Sequence, residues 1–105
     1  MIKNLPDFKS IKTMKYEELF KLRKSLKEKI SVRKTRYKKE VKIAEETAER
    51  IPNPQTALEQ LEVQGDAFTA KSTNFEASLL QMYLDEVEKY YNKYVEMFNT
   101  KQPGE

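Results

Sequence analysis

The chain has 105 residues, 35% of them charged and 38% apolar, with a net charge of +3 and neither cysteine nor histidine. That length suits one small domain, and the missing residue types exclude disulfides, thiolate metal sites, cysteine nucleophiles and histidine-dependent hydrolysis or deamination. Two glycines and four prolines are too few for the turns of a multi-stranded sheet, and the regular apolar spacing argues against disorder.

Residues 1–12 read as an irregular segment. Pro6 disfavours helix at Leu5, and Leu5, Phe8 and Ile11 are isolated apolar side chains. Thr13 has the character of an N-cap, with Glu17 and Glu18 in the first turns, where the helix dipole favours acids. From there Tyr16, Leu19, Leu22, Leu26, Ile30, Tyr37, Val41, Ala44, Ala48 and Ile51 recur in steps of three and four, and Arg33 fills the one longer gap. This predicts a first helix over about residues 14–50, roughly 55 Å long.

The stretch "IPNPQ", residues 51–55, ends that helix. Pro52 and Pro54 bias Ile51 and Asn53 away from helix, and Asn53-Pro54 reads as an N-cap followed by a first helical residue. A tight reversal makes the neighbouring helices antiparallel. The second helix is predicted over about residues 54–100. Its expected inner stripe is Leu58, Leu61, Gly65, Phe68, Ser72, Phe75, Leu79 and Met82, shifting by one residue to Tyr83, Val87, Tyr90, Tyr94 and Phe98. A capping-box pattern, Thr73-x-x-Glu76, raises the alternative of a break near 70–73 and three helices, while the unbroken register favours one helix. Residues 101–105, "KQPGE", read as a polar tail.

The predicted fold is therefore all-α: a single domain, residues 1–105, forming a coiled-coil-like antiparallel helical hairpin. With the turn centred on Asn53, Ala48 should meet Leu58, Ala44 Leu61, Val41 Gly65, Tyr37 Phe68, Leu26 Leu79 and Tyr16 Tyr90. Lys38 should pair with Asp66 and Lys42 with Glu62, and Arg33 should lie opposite Ser72 and Thr73. The second helix overruns the first, offering Tyr94, Met97 and Phe98 as a berth for Leu5, Phe8 and Ile11. A two-helix hairpin buries one stripe per helix, which favours self-association or a bound protein partner.

Charge is unevenly divided: residues 1–50 carry a net +8 and residues 51–105 a net −5. The stretch "RKTRYKKEVK", residues 33–42, is the most basic part. Arg23, Lys27, Arg33, Lys34, Arg36, Lys38, Lys39 and Lys42 are candidate phosphate contacts for a nucleic-acid-binding hairpin. No aromatic residue is interleaved on that arc for base stacking. A second concentration, "YLDEVEKYYNKYVEMF" at 83–98, supplies Tyr83, Tyr90, Tyr91, Tyr94 and Phe98 as candidate partner-binding residues, because tyrosine buries much area behind a polar tip.

The acidic groups Asp85, Glu86, Glu88 and Glu45, Glu46, Glu49 lack the loop of alternating oxygen ligands that holds a hard cation. A thin hairpin also offers no cleft for paired-carboxylate chemistry. No enzyme activity, metal, cofactor or small-molecule substrate is expected. No apolar run approaches the ~20 residues that cross a bilayer, and "MIKNLPDFKS" has no segment of signal-peptide hydrophobicity. A cytoplasmic location is the expectation, with signal-less export or virion incorporation open.

The leading reading is a non-enzymatic protein–protein interaction module, a helical-hairpin subunit or adaptor of a larger assembly. Its lysine-rich, cysteine-free composition suits a phage, plasmid or bacterial accessory protein: a virion or scaffold subunit, an inhibitor of a host protein, or a secretion partner. In size and hairpin shape it resembles the small WxG-type secreted proteins, but it has no tryptophan and its turn is Ile51-Pro52-Asn53-Pro54. The alternative is a nucleic-acid-binding hairpin using the basic face of the first helix.

Overall fold

A computed structural model describes residues 5–100, and the polar tail at 101–105 lies outside the described residues. Three helices follow in order: α1 (Phe8–Lys12), α2 (Tyr16–Arg50) and α3 (Ala57–Thr100). The two long helices pack as an all-α antiparallel hairpin, and α3 runs unbroken through 70–73. Thr73 is buried in the middle of α3 and caps nothing.

The helix starts differ from expectation for local reasons. Asp7 caps α1, accepting from the Ser10 backbone N–H at 2.8 Å, so part of the segment expected to be irregular is one helical turn. Thr13 is the C-cap of α1, its hydroxyl donating to the Ser10 carbonyl, and is not the N-cap of α2. At α3, Asn53-Pro54 lies in the loop. The start is set by a reciprocal capping box in which Thr56 N–H donates to Glu59 Oε1 at 3.2 Å and Glu59 N–H to Thr56 Oγ1 at 3.1 Å.

The chain forms two compact units, Met1–Lys29 with Leu79–Glu105 (unit 1) and Ile30–Ser78 (unit 2). Unit 1 holds Ile11, Leu19, Leu26, Leu80 and Val87 fully buried, with Leu84 beside them. Burying each such side chain stabilises the fold by about 1.5–3 kcal/mol. Unit 2 has a different interior. Its buried residues are Ile30, Ile51, Ala70 and Ala77, joined by the polar Thr47 and Thr73.

The inner face of α3 corrects the expected one. Ala70, Thr73, Ala77, Leu80, Leu84 and Val87 are buried, and the heptad continues to the half-buried Tyr91 and Tyr94. Leu58, Leu61, Gly65, Phe68, Phe75 and Met82 face outward, and Ser72 and Leu79 are half-buried. The reason is continuity. The expected stripe had to shift by one residue after Met82, whereas the observed one keeps a single register along the helix and includes the large residues of its C-terminal half. Those large residues choose the face, and upstream the same face carries mostly small and polar side chains.

The register across the seam changes accordingly. Thr47 pairs with Asp66, Arg50 with Glu62 and Arg33 with Glu76 in unit 2, and Arg23 with Glu88 in unit 1. These contacts replace the expected Lys38–Asp66 and Lys42–Glu62 pairs. They also displace the facing pairs built on Leu58, Leu61, Gly65 and Phe68. On α2, Thr47 is buried where Ala48 was expected, and Ala48 is exposed. Leu80 and Tyr91 turn inward one residue after Leu79 and Tyr90.

Candidate interaction surface

The outward stripe of α3 is the main exposed apolar feature of unit 2. Leu58 is 79% exposed, Leu61 65%, Phe68 70% and Phe75 68%. Their spacing places all four on one face, with Gly65 and the half-buried Ser72 in the same stripe. An added Cβ at Gly65 would meet nothing within 4 Å. Leu61, Gln64, Gly65, Ala67, Phe68 and Lys71 line an open hollow there. Unit 2 thus shows large apolar side chains of α3 to solvent, while the residues α3 buries there are alanine and threonine.

The carboxylates of this segment are all engaged within the chain. Glu59 closes the capping box, Glu62 pairs with Arg50, Asp66 accepts from Thr47, and Glu76 lies 3.8 Å from Arg33 Nε. The acidic charge of this segment is therefore held on its inner side and flanks, and the stripe itself is uncharged. On α2, a Glu40 carboxylate oxygen is enclosed with no hydrogen-bond partner among the described residues.

The candidate tyrosines occupy unit 1 and make contacts of their own. Tyr91 stacks on Tyr16 with ring centroids 5.4 Å apart and lies under Arg23, so it points into the seam, not away from it as the sequence spacing implied. Tyr94 donates to the Met14 carbonyl at 3.4 Å. Tyr83 meets Phe8 edge-on at 5.0 Å, and the Phe98 ring stands edge-on to Tyr16 at 5.1 Å. Tyr90 lies beneath the ammonium groups of Lys89 and Lys93. The N-terminal segment does fold back in unit 1, with Lys12 beside Tyr94 and Met97, although Phe8 meets Tyr83 where Tyr94, Met97 or Phe98 was expected. Ile11 is fully buried and Phe8 packs on Tyr83, while Met97 and Phe98 stay about half exposed.

The hydrogen bond between the Tyr16 and Tyr91 hydroxyls raises the Tyr16 pKa above the ordinary 10.0. Burial adds to the effect and Arg23 opposes it. At the other end, the Ser10 hydrogen bonds hold the Asp7 carboxyl below its ordinary value.

The basic candidates divide in two. Lys27, Lys34, Arg36, Lys38, Lys39 and Lys42 are exposed on α2. Arg23 and Arg33 turn inward to Glu88 and Glu76. Among the described residues no group of three acidic side chains is placed to hold a metal ion, and no helix is long and apolar enough to cross a membrane.

The exposed set Leu58, Leu61, Phe68 and Phe75 was assigned to the core by sequence, so its availability to a partner was missed. The signal was present: α3 carries two parallel heptads, and one hairpin partner can cover only one. Comparison with family models, curated proteins and solved structures gives no match to this chain.

Proposed function

We propose that this protein is a non-enzymatic interaction module that docks helix on helix, through the outer face of α3 in unit 2, as a subunit or adaptor of a larger assembly. The observation that carries the reading is the uncharged stripe of Leu58, Leu61, Phe68 and Phe75, held outward by a helix whose other face is already used. Contiguous exposed apolar faces of this kind mark protein-binding surfaces. The test is a photo-crosslinking amino acid at position 68, in cells that make the protein naturally. Crosslinks to a polypeptide from position 68 but not from position 34 support the reading. None from either site overturns it.

A second reading, phosphate binding, draws support from the six exposed bases of α2. It requires nucleic-acid affinity that falls steeply with salt, with a slope set by the number of phosphate contacts. Docking through an apolar stripe requires little salt dependence and strong sensitivity to loss of Phe68.

A further inference from the structure

We propose that the occupant of this face is a second copy of the same chain, with α3 lying antiparallel on α3 of its partner so that Gly65 of each copy faces Phe68 of the other. The inference rests on the interaction reading above and names its partner. Three observations carry it.

The first is shape. In an antiparallel pairing centred between Asp66 and Ala67, Leu58 faces Phe75, Leu61 faces Ser72 and Gly65 faces Phe68, each layer occurring twice about the two-fold axis. The four central layers set a large side chain against a small one. The Phe68 ring then enters the hollow over Gly65, lined by Leu61 and Gln64. One surface supplies both knob and hole, as an isologous interface requires.

The second is Gly65 itself. It lies within a 44-residue helix, where glycine is unfavourable relative to alanine, yet its own chain leaves the space above it empty. Nothing inside the hairpin requires a glycine at that position. A helix approaching closely from outside would.

The third is charge. An acidic helix ordinarily repels its own copy. Here Glu59, Glu62, Asp66 and Glu76 each have a partner in their own chain. In this register Lys71 flanks Gln64 of the other copy, and Glu62 flanks Thr69. Sliding the pairing one heptad toward the C-terminus would bring the two Lys71 side chains together, which disfavours that alternative.

The test is sedentation of the purified full chain by analytical ultracentrifugation at micromolar concentration, with circular dichroism reporting helix content. The wild type is expected to be a dimer. Phe68→Glu should keep its helix content and weaken dimerisation at least about 100-fold, as loss of a central interface aromatic does. Gly65→Ala should leave the diluted monomer no less helical while weakening dimerisation about 10-fold. Since the chain has no cysteine, orientation is read directly. Leu61→Cys mixed with Ser72→Cys should oxidise to a mixed disulfide dimer, and neither alone should crosslink.

A wild-type monomer, a dimer indifferent to Phe68→Glu and Gly65→Ala, or crosslinking of Leu61→Cys to itself would each overturn the proposal. A monomeric pure chain whose position-68 probe captures a foreign polypeptide would overturn the second copy and leave the interaction reading standing.

Discussion

Across the seam of unit 2, Thr47 donates its hydroxyl to Asp66 at 2.6 Å, joining α2 to α3 through a polar contact where a helix pair ordinarily places leucine or isoleucine. Thr47 is buried and Asp66 half-buried, so the pair is partly withdrawn from water. Thr47→Val keeps the shape and removes the donor, leaving the carboxylate without this partner. The expected loss is about 1–3 kcal/mol in urea unfolding. Thr47→Ser should restore most of it, and equal stability of the valine and serine variants would contradict the assignment.

The capping box makes a second, local prediction. Thr56→Ala should destabilise the hairpin by about 1 kcal/mol. Glu59→Ala should cost less in the wild type and almost nothing once Thr56 is gone, because the two side chains satisfy each other's backbone N–H groups. Additive losses in the double-mutant cycle would rule out the reciprocal geometry.

The contrast between the units predicts where truncation is felt. Leu84→Ala removes a buried side chain of unit 1 and should cost about 2–5 kcal/mol. Phe68→Ala removes a larger but exposed side chain and should change the stability of the dilute, monomeric chain by no more than about 0.5 kcal/mol. Amides of residues 80–87 should likewise exchange more slowly than those of 60–67.

Two groups give opposite pH limits. The Tyr16 pKa is raised in the folded protein, so the folded chain retains a proton that the unfolded chain loses. That stabilisation is complete below about pH 10 and disappears as pH rises through the folded value. Asp7 has a lowered pKa, so its contribution to α1 is complete above the ordinary carboxyl value and is lost as pH falls through the folded one. Tyr91→Phe removes the largest cause of the Tyr16 shift and should bring the Tyr16 phenolate absorbance change to lower pH. An unchanged phenolate titration would show that the Tyr16–Tyr91 hydrogen bond is not the cause.

Much of the hairpin was legible in the sequence, because the periodicity of α2, the paired prolines and the scarcity of glycine all act locally. The face of α3 was not. Leu58, Leu61, Phe68 and Phe75 form the more apolar stripe in the first half of that helix, and hydrophobicity alone places them inside. The decision is made some turns away, where Leu80, Leu84 and Val87 select a face that Ala70, Thr73 and Ala77 must then share. The start of α3 was missed for a related reason. Asn53-Pro54 is a plausible cap, but Thr56 and Glu59 satisfy each other, which a single cap residue cannot do. The tyrosines were noticed, but their use within unit 1 depends on Tyr16 and Phe8, far away in sequence.

The ring–ring contacts among Phe8, Tyr16, Phe20, Tyr83, Tyr91, Tyr94 and Phe98 all belong to unit 1. In a chain without tryptophan, the near-ultraviolet dichroic signal therefore reports chiefly on that unit, while far-ultraviolet ellipticity sums the helix of both. The two spectra become a built-in comparison of the halves: superimposable unfolding curves mean that they melt as one, and an earlier loss of ellipticity means that the alanine- and threonine-lined seam opens first.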